Sequence, residues 1–267
     1  MYGETPLERM LRDAWREPGL RPAFYKRLLI SEVLVPVQAP PEQVLDGVIA
    51  AGAKLDMITL VRSDNTVAVP FYTSPERLYE GSPTGERCVV MTVRELFESR
   101  HDLHFHINPF STFGREFTPW EVRSLLDTAG IATVERTWAP HTEEAHLRAP
   151  RELPEVVLQA LRVLFARNFE IRAAYVAERY GPGAEEKGAL LIALDLAEGA
   201  NHVRALREAG TVITESWLSG MPTFGVVVLP RDGSAVSRYF LEQATPFFTI
   251  GLTGSIASVL RGVQAGM

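Results

Sequence analysis

With a single cysteine, Cys88, in 267 residues, the chain can form no internal disulfide, and it has no Cys-x-x-Cys or Cys/His spacing of the kind that holds zinc. Lysine is scarce as well, found only at positions 26, 54 and 187. The other basic residues are arginines scattered among acids, and the net charge is −6. A negative chain without a basic stripe suits neither nucleic acid nor an anionic lipid surface, so neither is expected as a partner. No stretch approaches the ~20 apolar residues of a membrane span. The start, Met1-Tyr2-Gly3-Glu4-Thr5, lacks the apolar core of a signal peptide. A reducing cytoplasm is the expected home. Also absent are a Gly-x-Ser-x-Gly elbow and the glycine loops that cradle nucleotide phosphates.

What is present is ordinary globular composition, 46% hydrophobic and 22% charged. The element pattern predicts an α+β fold of two small mixed-sheet domains in tandem, at 1–135 and 150–248, with a tail over 249–267. Apolar spacing from Pro6 to Trp15 predicts a first helix ending at Glu17-Pro18-Gly19, and a second begins near Pro22. A strand is expected at Val33–Val37, a short helix over 41–51, and a hairpin joining 57–61 to 67–72 through Ser63-Asp64-Asn65. Helix starts then recur at Ser74-Pro75, at Thr92-x-x-Glu95, and at Thr118-Pro119-Trp120-Glu121. The last combines an N-cap, an N1 proline and an N3 glutamate, with Phe117 and Val122 as a staple and Gly130 as the stop. Strands are expected at Arg87–Met91, with Cys88 as a core residue, and at Leu103–Ile107. Apolar periodicity lapses over 131–152, where the boundary is placed. Beyond it the expectation is a helix from Pro154, strands at 172–180 and 189–196, and a helix over 199–209 stopped by Gly210. Strands at 211–217 and 223–229 and a last helix near 235–244 complete it.

Several passages resemble the SseB (enhanced serine sensitivity) family, which pairs an N-terminal with a C-terminal domain. Pro6-Leu7-Glu8 with Arg21-Pro22-Ala23-Phe24-Tyr25 is similar to the family's opening. Pro70-Phe71-Tyr72-Thr73-Ser74-Pro75-Glu76-Arg77-Leu78 resembles its PFFTSxERL segment. Asn108-Pro109 followed by Gly114-Arg115-Glu116-Phe117-Thr118 resembles its loop and helix start. Leu164–Arg167, Arg172–Tyr175 and Ser237–Phe247 resemble its second domain. His104 and His106 depart from the pattern, standing where apolar residues are expected, as does the glycine-rich tail. The resemblance implies the two-domain fold. It brings no catalytic residues, because the family name reports a phenotype and not a reaction.

Read for chemistry, the residues offer little. His104-x-His106 puts two imidazoles on one strand face near His101 and Asp102, without a visible third ligand, and reads as a solvent-facing edge. His141 and His146 bracket Glu143 and Glu144, but five residues of helix turn them about 140° apart, so they share no face. Glu185 and Glu186 sit on a loop tip. Ile250, Ile256, Val259, Leu260 and Val263 are spaced as one apolar face of the tail. No metal, cofactor or catalytic group is therefore expected. The favoured reading is a non-catalytic interaction protein (adaptor, chaperone-like or immunity-type binder) whose partner is another protein, its oligomeric state open. The alternative is an enzyme or regulator with an unrecognised site linked to serine or sulfur metabolism. A deep pocket of convergent polar groups would favour the enzyme, and an exposed apolar surface the binder. The candidate contact surface is the loop from Asn108 to Glu116, with Asn108, Phe110, Phe113 and Arg115, since a loop fixed at both ends positions side chains well. Aromatics and arginine dominate interface energetics. Against that, Phe110 and Phe113 would serve equally well to close the core.

Overall fold

A computed structural model of the chain describes residues 4–38, 44–45, 48–49, 56–61, 65–82, 86–128, 146–180, 189–218 and 221–251. The fold is α+β, and it divides into two units, Met1–Ile131 and Ala132–Met267.

In the first unit, Thr5 caps α1 (Pro6–Arg16) through a capping box with Glu8. Spacing by three and four turns Leu7, Leu11 and Ala14 into the core. A single 3-10 turn at Pro18–Leu20 leads into α2 (Arg21–Leu29). The strands follow as β1 (Glu32–Gln38), β2 (Val44–Leu45), β3 (Val48–Ile49), β4 (Asp56–Met57), β5 (Leu60–Val61) and β6 (Val67–Phe71). Then come α3 (Pro75–Gly81), β7 (Cys88–Thr92), α4 (Val93–Ser99), β8 (His104–Ile107), β9 (Arg115–Phe117) and α5 (Pro119–Thr128). One sheet has the order β4-β1-β7 and another β5-β6-β8-β9. They join where Leu34 and Tyr72 exchange two backbone hydrogen bonds of 2.9 Å each. β6 and β8 run parallel, with α3, β7 and α4 in the crossover, and every other pair is antiparallel. Leu28, Phe71, Phe97, Phe105, Phe117 and Val122 meet in one fully buried core between sheet and helices. The interlocked rings of Phe97 and Phe105 have centroids 4.9 Å apart.

The second unit begins with β10 (His146–Arg148), followed by α6 (Glu155–Phe165), β11 (Ile171–Tyr180), β12 (Ala189–Leu196), α7 (His202–Ser216) and β13 (Thr223–Val228). A short α8 (Ala235–Arg238), a π-helical turn at Tyr239–Gln243 and β14 (Phe248–Thr249) close it. The sheet order is β10-β11-β12-β13, and β14 pairs with β11 at the end away from β10. α6 and α7 supply the larger cluster, with Leu161, Phe165, Ile192 and Val212 buried. The smaller cluster gathers Leu191, Ala193, Val236 and Phe240. Arg148 holds β10 in place by donating to the Glu178 carboxylate, which also accepts from Arg151 N at 3.2 Å.

Four expectations are corrected. Within 41–51, residues 44–45 and 48–49 pair as a two-residue antiparallel ladder and not as a helix; the rest of that span lies outside the described residues. α7 does not stop at Gly210 but runs on to Ser216, so 211–217 is not a strand. Val212 and Ile213 are buried on the helix face that carries Ala205 and Ala209, Thr211 is buried as well, and tertiary burial overrides strand propensity. The parallel β12–β13 pairing also needs a crossover of that length. β9 takes Arg115 and Glu116 out of the expected loop. Cys88 is half-buried and not core, and among the described residues β7 has a partner strand only in β1. His141, the Glu143-Glu144 pair, Glu185, Glu186 and the tail from Leu252 lie outside the described residues.

Candidate functional site

Some of the residues that carry the resemblance in the first unit, Glu8, Thr73, Ser74, Arg77 and Asn108, come together around one carboxylate. Glu8, only 7% exposed, faces the turn that opens α3. Its Oε1 accepts from the Thr73 hydroxyl at 2.8 Å and the Ser74 hydroxyl at 3.0 Å, with Arg77 Nε 3.4 Å away. Its Oε2 accepts from Thr5 N at 2.9 Å. Burial pushes the Glu8 carboxyl upward, but the bonds from Thr5, Thr73 and Ser74 and the Arg77 charge outweigh it and hold the group below the ordinary glutamate range. Ser74 also caps α3 by accepting from Arg77 N at 3.3 Å.

Asn108 extends this network. Its amide donates to Thr73 Oγ1 at 2.8 Å, and its carbonyl oxygen accepts from Thr73 N at 2.9 Å. Asn108 is 1% exposed and left-handed, with φ at 46°, a conformation that asparagine tolerates. It is a scaffold residue. The loop it opens is drawn tight by Ser111 N donating to Asn108 O and Gly114 N to Ser111 O, each at 3.1 Å. A side chain at Gly114 would place its Cβ 2.6 Å from Asn108 O, so only glycine fits there.

The other three candidates differ from one another. Arg115 donates to Glu121 at 2.8 Å and lies 4.9 Å over the Tyr25 ring and 5.0 Å over Phe117, tying β9 to α5 and α2. Phe113 is half-buried, edge-on to Trp15 at 5.7 Å and beneath the Arg16 guanidinium at 5.5 Å. Phe110 is 74% exposed, with φ at 72°. Only Phe110 is a free surface ring, and Phe113 is shared between core and surface.

Beside this loop runs a groove of about 340 Å³. It is lined by Leu11, Ala14 and Trp15 of α1, by Arg21 and Phe24 of α2, and by Gly114, Arg115 and Glu116. Arg21 Nε closes the end of α1 by donating to Ala14 O at 3.0 Å. Glu116 meets His104 Nδ1 at 2.8 Å, so the unexpected histidine at 104 has a carboxylate partner across the sheet. Among the described residues, no group of three or more His, Cys, Asp or Glu side chains is placed to hold a metal ion. None of their helices is long and apolar enough to cross a membrane.

Two residues of this region escape the sequence reading. Trp15 lies on the helical spacing of Leu7 and Leu11, which assigns it to the core, yet it is 56% exposed at the last turn of α1. Glu8 had a legible signal, because Thr5-Pro6-Leu7-Glu8 repeats the capping pattern of Thr118-Pro119-Trp120-Glu121.

Residues 7–124 match the family described as SseB protein N-terminal domain, and residues 140–249 match SseB protein C-terminal domain. The chain is 26% identical over 245 residues to Protein SseB of Escherichia coli strain K12, covering 92% of each chain. Protein SseB of Shigella flexneri matches with the same identity and coverage. No solved structure matches. With both domain families matched in order along the sequence that builds the Glu8 network and the second sheet, the chain belongs to the SseB family.

Proposed function

We propose that this chain is a non-catalytic interaction protein that docks a protein partner on the face formed by Trp15, the Asn108–Gly114 loop and the adjoining groove. Phe110 carries the reading. A left-handed backbone costs a bulky L-residue about 1–2 kcal/mol relative to glycine, and the Phe110 ring, 74% exposed, recovers none of it within the fold. Asn108 and Gly114 hold the loop through their own contacts, so the ring has no part in closing it. An exposed aromatic on a rigid, strained loop points to a duty outside the folded chain. Trp15 and Phe113 beside the groove supply the kind of aromatic surface that anchors interfaces.

Photocrosslinking tests this. A benzophenone amino acid replaces Phe110 in the full-length chain, a control chain carries it at Tyr79, and both are irradiated in native extract. A discrete adduct from position 110 that disappears with Trp15→Ser is the expected result. Adducts no different from those at Tyr79 would refute the docking face.

A further inference from the structure

In the second unit, we propose that the free edge of β13 pairs with the same strand of a second copy of this chain, antiparallel and centred on Val226, so that one sheet continues across a two-fold axis. β13 ends the order β10-β11-β12-β13 and has no second partner strand among the described residues. Leu229 N donates to Leu194 O at 2.8 Å, which fixes the parity of the ladder. In this parallel pair Gly225, Val227 and Leu229 bond β12, and Phe224, Val226 and Val228 turn their N–H and C=O groups outward. The next outward positions on either side are Pro222 and Pro230, which have no N–H. The outward row is therefore symmetric about Val226, with a proline four residues away in each direction. A copy turned end for end matches it. Val226 faces the partner's Val226, and Phe224 faces the partner's Val228, each pair exchanging both backbone bonds. The two ladders start and stop together at the prolines, and Pro222 O already accepts from Trp217 Nε1 at 3.4 Å. Charge favours the same occupant. A second copy brings the same net charge of −6, so it is least repelled where neither chain is charged, and residues 217–230 hold no charged side chain. Edges that are kept apart carry lysines or other charges, and this one carries none. Trp217 and Leu218, both exposed, stand beside the start of the strand and extend the apolar strip.

Sedimentation equilibrium of the full-length chain tests the pairing, and the expected mass is twice that of the chain. Phe224→Lys combined with Val228→Lys puts like charges opposite each other across the axis and should raise the dissociation constant about tenfold or more. Phe224→Lys combined with Val228→Glu puts opposite charges at the same two positions and should recover most of that loss. Circular dichroism checks that both variants fold. A separate measurement places spin labels through Thr223→Cys in a Cys88→Ser chain. The proposed register sets the two labelled positions six residues apart, about 20 Å along the strands, and dipolar spectroscopy reads that separation. Should either double variant not fold, the label separation decides alone. A chain that stays monomeric would overturn the proposal and leave the edge to a foreign strand. A dimer equally indifferent to both double variants, or one whose labels do not lie at that separation, would overturn the assignment of this edge.

Discussion

Replacing Glu8 separates what holds the first unit together from what it presents. In Glu8→Ala the hydroxyls of Thr73 and Ser74, the Thr5 N–H and the Arg77 guanidinium all lose their shared acceptor. Loss of the capping box costs about 1 kcal/mol. Donors left behind in a mostly buried site add about 2 kcal/mol, so the total is about 3 kcal/mol. Arg77 adds little of this, because it also pairs with Glu80 at 2.8 Å and is partly exposed. Glu8→Gln keeps one acceptor oxygen and loses the charge, and should cost about 1 kcal/mol. The pH dependence follows from the depressed folded-state pKa. The stabilisation is fully present above the unfolded value and is lost as pH falls through the folded one. Glutamine does not titrate, so the gap between the native chain and Glu8→Gln should be wide at neutral pH and close in acid, as pH falls through the depressed folded-state value. Urea titration of the full chain gives the overall change, and hydrogen exchange of α1 and α3 peptides locates it in the first unit. A cost below about 1 kcal/mol for Glu8→Ala, or a glutamine gap that does not narrow in acid, would refute the reasoning.

Phe110→Gly should hold or raise stability, by up to about 1 kcal/mol, while abolishing docking; thermal unfolding checks the first half, and binding of the protein captured by the position-110 adduct checks the second. Gly114→Ala should cost more than about 2 kcal/mol, because the new Cβ meets backbone at 2.6 Å and not a movable side chain; urea titration measures it. We propose that the two units fold independently, divided within 131–152, and limited proteolysis should then leave two stable fragments. The β10–β11 pairing should protect the chain from His146 onward. Primary cleavage inside either sheet would count against the division.

Much of the fold was legible because its helix starts are chemical and local. Ser74, Thr92 and Thr118 each bond the backbone N–H three residues ahead, and those signals need no tertiary information. The short strands were not legible. β9, β10 and β14 run two or three residues and exist because a neighbour, β8 or β11, offers them backbone partners. Gly210 misled for the opposite reason: a stop signal inside a helix yields when Ala209, Val212 and Ile213 around it are buried. The site was half legible. Composition placed Phe110, Phe113 and Arg115 on a loop with fixed ends, but no pattern told an exposed ring from a shared one or a tied guanidinium from a free one. Sequence spacing placed Trp15 on the first helix without telling that its ring is exposed, because periodicity fixes which helix face a residue lies on and not how far along the helix the core extends.

The separation between Phe110 and its neighbours has a consequence for how this surface can diverge. Asn108 and Gly114 fix the course of the loop through contacts that few other residues could make, whereas the Phe110 side chain is largely in solvent. Substitution at 110 can therefore retune or erase an affinity with almost no risk to folding, and several exchanges, glycine among them, would relieve the backbone. For the docking proposed above, partner choice would then drift at that position while the scaffold beneath it stays unchanged, and new specificities would be reachable by single steps.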